Sequence, residues 1–133
     1  MSGRWLIKSE PGTYSWDDLV REGEAVWDGV RNAQAANFLR AMRMGDALLF
    51  YHSGPGAEVV GIGEVCGEAF PDPKDTTGRF VAVSVRAVRP LARPVSLAAM
   101  KADARLSGMM MLRQSRLSVS PVSDTEWAAI VGR

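Results

Sequence analysis

The organisation of this chain follows from one stretch, Trp27-Asp28-Gly29-Val30-Arg31-Asn32, which runs directly into Ala33-Gln34-Ala35-Ala36-Asn37-Phe38-Leu39-Arg40. Residues 24–27 are typical of a short strand that ends in a large aromatic residue. A glycine then allows a turn, and Asn32 is placed to cap a helix that reaches about residue 44. Helix N-termini expose unpaired N–H groups and partial positive charge, so this order groups a ring, a cation and backbone donors. Two interpretations stay open from these residues: a site where a flat ligand stacks on Trp27, or a core tryptophan beside a surface arginine.

Length and charge limit the classes of protein that fit. The chain contains 133 residues, enough to bury a core, and we predict a single domain over residues 1–133. Its formal net charge is only +1. Proteins that hold nucleic acid mainly through phosphates are distinctly basic. A nucleic-acid role here therefore requires a local pocket with a few placed cations.

The sequence also gives an expectation for the compartment. It has no apolar run near the roughly 18 residues of a membrane span, and its N-terminus lacks the basic-then-apolar pattern of an export signal. The single cysteine, Cys66, excludes an internal disulfide and suits a reducing environment. We therefore expect a cytoplasmic protein without a membrane partner, and we also predict a monomer.

Hydrophobic alternation and turn residues predict about six short strands. They cover residues 4–8, 24–27, 46–53, 58–70, 79–88 and 113–121. Besides the helix at Asn32, short helices are predicted over 16–21 after Ser15, over 97–101 after Ser96, and beyond a Ser123–Glu126 capping box. Because the helices do not alternate one for one with the strands, the sequence predicts an α+β fold, a small mixed and partly closed β-barrel with short helices packed outside.

Gly61 and Gly63 form a Gly-x-Gly within the fourth predicted strand. This spacing occurs in nucleotide-binding loops, but those open a helix, and no helix start follows here. Glycines on one face of a strand also permit a bend or a close backbone approach. We favour the bend.

The sequence contains few of the residues and motifs that enzymes use for catalysis. His52 is the only histidine, so together with one cysteine it cannot supply a standard zinc site. No G-x-S-x-G nucleophile elbow and no P-loop occur, and no spacing singles out a carboxylate pair. We predict no catalytic residues, no metal and no cofactor, and hence a protein that is not an enzyme. A hydrolase acting on nucleic acid stays open as an alternative that would need His52.

Binding is better supported than catalysis. Ser9-Glu10 follows the first predicted strand and Trp27-Asp28 ends the second. If the ends of those strands converge, they form a pocket with one ring, carboxylates and hydroxyls. Such a pocket suits a flat heterocycle, since bases stack on aromatic rings and are read through their hydrogen-bonding edges.

Arg86, Arg89 and Arg93 form the one basic cluster of note. It is either a solvated strand end or a rim that contacts phosphate. Lys8, Arg40 and Arg86 are our candidates for phosphate contacts.

Several motifs, taken together, closely resemble the EVE domain family. They occur in the family's order from about Arg4 to Ile130: Trp5-Leu6-Ile7-Lys8-Ser9-Glu10-Pro11, Tyr14-Ser15-Trp16, Trp27-Asp28-Gly29-Val30-Arg31-Asn32, Gly45-Asp46, Phe50-Tyr51-His52-Ser53, Val60-Gly61-Ile62-Gly63, Ser115-Arg116-Leu117-Ser118-Val119 and Pro121-Val122. The family usually has an aromatic residue at position 33 and an arginine at position 36, where this chain has Ala33 and Ala36.

The resemblance implies a PUA-like barrel related to the YTH readers, and a non-catalytic reader of modified bases. The implied ligand is 5-methylcytosine or 5-hydroxymethylcytosine in DNA, flipped into an aromatic-lined pocket. The alternative is a sensor of a small heterocycle or of a modified RNA base that uses the same pocket. The implied ligand-binding residues are Ser9, Glu10, Trp27, Asp28, Arg31, Asn32, Ser115, Arg116, Leu117 and Ser118. Trp27 would stack the base, Ser9, Glu10 and Asp28 would read its edge, and Arg31 or Arg116 would hold a flanking phosphate.

Overall fold

The structure is a computed structural model that describes residues 3–132, so residues 1, 2 and 133 of the predicted domain lie outside the described residues. Its strands are β1 (Arg4–Ser9), β2 (Glu24–Trp27), β3 (Ala47–His52), β4 (Glu58–Val65), β5 (Phe70–Pro71), β6 (Val81–Ser96) and β7 (Val119–Pro121). The helices are α1 (Trp16–Glu22), α2 (Ala33–Ala41), α3 (Leu97–Ala102), α4 (Met110–Arg113) and α5 (Asp124–Val131), and a 3-10 turn covers Ala104–Leu106.

The strands form one mixed sheet in the order β2-β6-β4-β3-β1-β7, and the short β5 pairs with β6. β1 and β3 are parallel, whereas the other pairs are antiparallel. The sheet is curled. Residues of β1, β3, β6 and β7 meet in one apolar cluster, together with residues of α1 and α2. The predicted α+β fold with a partly closed barrel and helices outside it is confirmed as a curled half-barrel.

Alternation along β1 divides the core in two. Trp5 and Ile7 belong to the cluster inside the curl, while Leu6 belongs to a second cluster under α3 and α5. Successive side chains of a strand point to opposite faces, so one strand supplies both clusters. The strand predicted over residues 4–8 therefore contributes to both halves of the core.

Side-chain caps fix the helix starts. Ser15 and Asp18 form a capping box at α1, and Ser123 and Glu126 form another at α5. The Asn32 side chain accepts from the N–H of Ala35, as its position in the sequence predicted. α2 ends at Ala41 and not near residue 44, and the chain then turns toward β3 through Gly45 at φ +91°.

Three predicted strand boundaries were wrong. The fourth strand stops at Val65, and residues 113–121 divide into the end of α4, a loop and the short β7. The fifth predicted strand runs on through two prolines to Ser96. The pairing of this strand with β2 ends at Arg86, and a last hydrogen bond joins the N–H of Ala87 to the Gly23 carbonyl. Beyond residue 87 this edge has no partner strand among the described residues, and proline is tolerated on a free strand edge.

The Gly61–Gly63 segment packs closely against its neighbours, and a helix start does not follow it. A Cβ at Gly61 would lie 2.6 Å from the Trp16 ring, and one at Gly63 would lie 2.8 Å from the Arg86 carbonyl oxygen. The β3–β4 and β4–β6 registers both shift in this segment. These glycines let α1 and β6 approach β4, which places α1 beside the site.

No helix among residues 3–132 has the length and apolar character needed to cross a membrane.

Candidate functional site

A cleft of about 930 Å³ opens where β1 and β2 end. Its walls are the end of β1, the turn that leads to α1, the whole of β2, and the loop over residues 28–31. Ligand pockets in proteins commonly measure about 300–1,000 Å³, so the cleft has the size of a binding site. Of the predicted ligand-binding residues it contains Ser9, Glu10, Trp27, Asp28, Arg31 and Ser118, together with the predicted phosphate contact Lys8.

Two aromatic rings form a corner in the cleft. The ring centroids of Trp27 and Tyr14 are 6.0 Å apart with planes at 76°. Behind them, Phe50 meets Trp27 at 5.6 Å and 80°, and Phe50 itself is buried. Such edge-to-face packing stabilises aromatic pairs and fixes their orientation. The half-buried Trp27 is therefore held rigidly in the wall of an open cleft, where it can stack a flat ligand.

The free edge of β2 runs along this cleft. Cys66 donates its N–H to the Ser84 carbonyl, and Ala87 donates to the Gly23 carbonyl. Antiparallel pairs alternate between hydrogen-bonded and non-hydrogen-bonded residues. Ser84, which faces β4, is therefore not bonded to Val26, its register partner. The N–H and C=O of Val26, a residue that lines the cleft, consequently point away from β6.

The buried carboxylate of Asp72 organises the loop over residues 28–31. One of its oxygens accepts from the N–H of Gly29 at 2.8 Å and from Nη1 of Arg31 at 2.8 Å. The other accepts from the N–H of Lys74 at 2.7 Å. Burial acts to raise the pKa of Asp72, but the hydrogen bonds from Arg31, Gly29 and Lys74 outweigh it and lower that pKa. Asp72 therefore stays ionised and links two loops at the cleft.

Arg31 is fixed on two sides. Its guanidinium pairs with Asp72 and lies 5.1 Å from the centroid of the Phe80 ring. The hydrogen bond to Asp72 raises the pKa of Arg31, which remains charged. Its side chain is still 40% exposed, so the group can contact a ligand from this fixed position.

Carboxylates outnumber cations in the cleft. Glu10, Glu22, Glu24 and Asp28 line it, against Lys8, Arg31 and Lys74. Lys74 pairs with Asp28 at 3.3 Å, and Glu22 accepts from the Tyr14 hydroxyl at 2.5 Å. Within the described part of the chain no side-chain partner is found for Glu10, which is exposed. The cleft thus offers hydrogen-bond acceptors and has a polar rather than a strongly basic character.

The β1 end of the cleft is held by its own contacts. The Ser9 hydroxyl donates to the Tyr14 carbonyl at 2.6 Å, and Lys8 Nζ donates to the Ser115 carbonyl at 2.9 Å. Burial lowers the pKa of Lys8. Ser9 can therefore act toward a ligand only as an acceptor in this arrangement, and Lys8 positions the segment that contains Ser118.

Other predicted site residues lie outside the cleft. Asn32 serves as the α2 cap, Leu117 is buried in the core, and Ser115 and Arg116 are exposed beyond the cleft wall. These residues are neighbours in sequence of residues that line the cleft. A loop, however, directs only some of its side chains toward the cleft. Two predicted phosphate contacts are also elsewhere: Arg86 pairs with Glu64 at 3.0 Å, and Arg40 bonds Asn37 on α2.

His52 has a structural contact. Its Nε2 accepts from the N–H of Trp16 at 3.0 Å, at the start of α1. No group of three or more potential metal ligands occurs among residues 3–132. His52 does not line the cleft.

Tyr14, Asp72 and Lys74 were missed as site residues by sequence reasoning. Tyr14 belongs to a motif shared with the family, so its position carried a usable signal. Asp72 lies between Pro71 and Pro73, in the stretch between the fourth and fifth predicted strands. An aspartate in such a loop often accepts backbone hydrogen bonds, but the chain does not reveal that these come from residue 29.

Comparison with known proteins gives a consistent result. The family model for the EVE domain matches residues 3–133. Human thymocyte nuclear protein 1 is 32% identical over an alignment 163 positions long, which covers 96% of this chain and 72% of the human protein.

Solved structures agree in fold. An NMR structure of a Rhodopseudomonas palustris protein is 48% identical, with a TM-score of 0.93 over 98% of this chain and 91% of that one. A crystal structure of human THYN1 in complex with 5-methylcytosine-containing DNA is 31% identical, with a TM-score of 0.90 over 98% of this chain and 96% of the human chain.

Proposed function

The chain belongs to the EVE domain family, and we propose that it is a non-catalytic reader of a modified nucleobase, with modified cytosine in DNA as the ligand. The observation that carries the proposal is the corner of Trp27 and Tyr14, placed in a cleft whose remaining wall supplies carboxylates. The similarity to human THYN1, which was crystallised with 5-methylcytosine-containing DNA, supports the choice of base.

Stacking on the aromatic rings would supply affinity for the base, and hydrogen bonds to its edge would supply selectivity. A base stacked on an aromatic ring gains roughly 1–3 kcal/mol, and any base has a face for this. Selectivity must therefore come from the edge. Carboxylates accept hydrogen bonds from the N4 amino group of cytosine, and Glu10 and Asp28 are the carboxylates nearest in sequence to the two strand ends. The outward N–H of Val26 can donate to a ring acceptor beside that amino group.

The apolar part of the cleft suits a methyl group. Ala25, Val26 and Val30 line it next to Trp27. Burial of one methyl-sized group is worth about 0.8 kcal/mol, which corresponds to roughly a fourfold preference. Selectivity for 5-methylcytosine over cytosine of at least this size is expected if the methyl group enters this part of the cleft.

A base in double-stranded DNA must leave the duplex to reach the cleft. A ring inside a duplex exposes neither its face nor its Watson–Crick edge, so readers of this kind extrude the nucleotide. Extrusion costs a few kcal/mol and is least unfavourable for a single strand or a mismatch. We therefore expect tighter binding to a modified single strand than to the matched duplex.

A second function is favoured by the charge of the cleft. Four carboxylates and three cations line it, and the whole chain carries a net charge of +1, which is weak support for a polyanion. A free modified nucleoside or small heterocycle, which has no phosphate chain, would use the same aromatic corner. A modified base in RNA would use this corner too, but the charge does not favour it over DNA.

The test is a binding titration at one stated salt concentration. The ligands are short DNA and RNA strands that carry cytosine, 5-methylcytosine, 5-hydroxymethylcytosine or N6-methyladenine, together with the matching free nucleosides. The proteins are the parent chain, Trp27→Ala, and Val88→Ala as a matched change of an exposed apolar residue on β6.

Selective binding of a modified-cytosine strand that Trp27→Ala removes and Val88→Ala retains would support the reader. Equal weak binding to all strands with tight binding of a free nucleoside would replace the reader with the sensor. A cytoplasmic location and a monomeric state stay predictions.

A further inference from the structure

A second, shallow pocket of about 290 Å³ lies between α2 and the segment that precedes β6. Arg40, Asn37, Arg79 and Phe80 line it, together with small residues of α2 and Gly78. Arg40 is held in place, because its guanidinium donates to Asn37 Oδ1 and to the Arg79 carbonyl oxygen. Both arginines are exposed, and neither takes part in an ion pair among residues 3–132.

Phe80 joins this pocket to the cleft. The guanidinium carbon of Arg31, a cleft residue, lies 5.1 Å from the Phe80 ring centroid. The guanidinium carbon of Arg79, a residue of the second pocket, lies 5.5 Å from the same centroid. Three arginines therefore follow one another from the cleft to α2: Arg31, Arg79 and Arg40.

The carboxylates near these arginines are already engaged. Asp72 is buried and bonded to Arg31, and Asp28 pairs with Lys74. Asp75 accepts from the N–H groups of Thr77, Arg79 and Phe80 and from the Thr77 hydroxyl. None of the three carboxylates forms a side-chain ion pair with Arg79 or Arg40. The Arg79 guanidinium therefore keeps its donors for an anion, and Arg40 keeps the N–H groups that are not bonded to Asn37 and to the Arg79 carbonyl.

The rim of the cleft at the start of β2 is negatively charged, in contrast to the rim near Phe80. Glu22 and Glu24 are exposed there, at the end of α1 and the start of β2. A chain of phosphates avoids such a rim, because like charges repel at short range. A strand bound at the cleft is therefore directed toward Phe80.

We propose that Arg79 and Arg40 form a phosphate-binding path for the nucleic-acid strand that flanks the base held in the cleft. The strand leaves the cleft over Arg31, crosses the edge of Phe80, and places successive phosphates on Arg79 and Arg40. This proposal rests on the proposed function, since it needs a base bound at Trp27.

The experiment compares two double variants that change the net charge equally. Arg40→Gln/Arg79→Gln removes the path. Arg89→Gln/Arg93→Gln removes two exposed arginines of β6 that line neither pocket, which favours the solvated strand end over a phosphate-contacting rim for that cluster. Each protein is titrated with a 5-methylcytosine-containing single strand over a range of salt concentrations, and separately with free 5-methyl-2′-deoxycytidine.

The expected result is specific to the strand. Each lost contact to a single-stranded phosphate lowers the slope of log K against log salt by about 0.7, so the path variant should lose about 1.4. Its affinity for the free nucleoside should not change. The β6 variant should keep the slope of the parent chain for the strand.

Two results would overturn the path. One is an unchanged slope in the path variant, and the other is an equal loss of slope in both double variants. Arg79→Gln alone is a control for misfolding, because the Arg79 guanidinium lies over the Phe80 ring and forms no hydrogen bond or ion pair among the described residues. This single variant should lose about 0.7 of the slope. If the parent chain itself shows no preference for the modified strand, the proposed function fails and the path falls with it.

Discussion

The carboxylate of Asp72 and the guanidinium of Arg31 meet at 2.8 Å, with the acid fully buried and the base 40% exposed. The two residues lie 41 positions apart, so their contact depends on the fold and not on local sequence. The same carboxylate holds the N–H groups of Gly29 and Lys74. One buried acid thereby determines the shape of the loop that carries Asp28 and Arg31 into the cleft.

Removal of this acid should loosen the loop. Asp72→Ala leaves two backbone donors and one guanidinium without their acceptor, and we expect a loss of about 2–3 kcal/mol in the free energy of unfolding. Asp72→Asn retains the shape and one oxygen and should lose less. Urea unfolding followed by circular dichroism measures both. An unfolding midpoint for Asp72→Ala equal to that of the parent chain would refute the role of this carboxylate.

Stability should fall in acid because of two buried carboxylates. Burial acts to raise the pKa of Asp46 and of Asp72, but hydrogen bonds to each carboxylate outweigh it and lower both pKa values. A lowered folded-state pKa adds stability above the unfolded value of about 3.9, and this stability is lost as the pH falls through the folded value. The free energy of unfolding should therefore decrease below about pH 4.

Urea unfolding at pH 7, 5, 4 and 3 tests this assignment. Asp46→Asn should reduce stability at pH 7 and make its dependence on pH shallower below pH 4, since one of the two carboxylates is gone. Asp17→Asn changes an exposed acid of α1 and should keep the acid dependence of the parent chain. The same acid dependence in Asp46→Asn as in the parent would contradict the assignment.

Gly61 should not accept a side chain. A Cβ there would lie 2.6 Å from three atoms of the Trp16 ring, which is itself packed at 5.6 Å against Phe50. Overpacking of a core typically costs 1–3 kcal/mol, and Gly61→Ala should lower the free energy of unfolding by about 2 kcal/mol or more. The matched control is Gly67→Ala, where no atom lies within 4 Å of the added Cβ. Thermal unfolding of both variants at the same midpoint would show that α1 can move away from β4.

Tyr14 should contribute to binding through its ring and not through its hydroxyl. Burial raises the pKa of Tyr14, and the hydrogen bond to Glu22 raises it further, so the phenol remains protonated and donates to that acid. Tyr14→Ala removes the second wall of the corner and should weaken binding of the modified base by about 1–3 kcal/mol, or roughly five- to 150-fold. Tyr14→Phe should bind within about twofold of the parent chain. Fluorescence anisotropy of a labelled strand measures both, and equal losses in the two variants would place the effect on the hydroxyl.

Much of the fold was predictable because its signals are local. The caps at Ser15, Asn32, Ser96 and Ser123 each act within a few residues, and all four were found where the sequence indicated them. Alternation in β1 likewise depends only on backbone geometry. The long β6 was missed because its prolines are tolerated only where a neighbouring strand has already ended.

The candidate site divides in the same way. Trp27 ends β2, and Glu10 and Asp28 directly follow the ends of β1 and β2. The convergence of these strand ends on one cleft was a reasonable expectation. Leu117 and Arg116 show the limit of this reasoning, because adjacent residues of one loop lie in the core and in solvent.

The sequence by itself determined the helix caps, the position of Trp27 ahead of α2, and the membership of the family. These features depend on short-range geometry and on the order of the motifs. Only the tertiary structure decided which side chains share the cleft. The near-perpendicular approach of Tyr14 to Trp27, the Asp72–Arg31 pair and the approach of Arg31 to the Phe80 ring join residues 13 to 49 positions apart. Such contacts depend on the curl of the sheet and on the paths of its loops. Both features are determined only when the whole chain packs together.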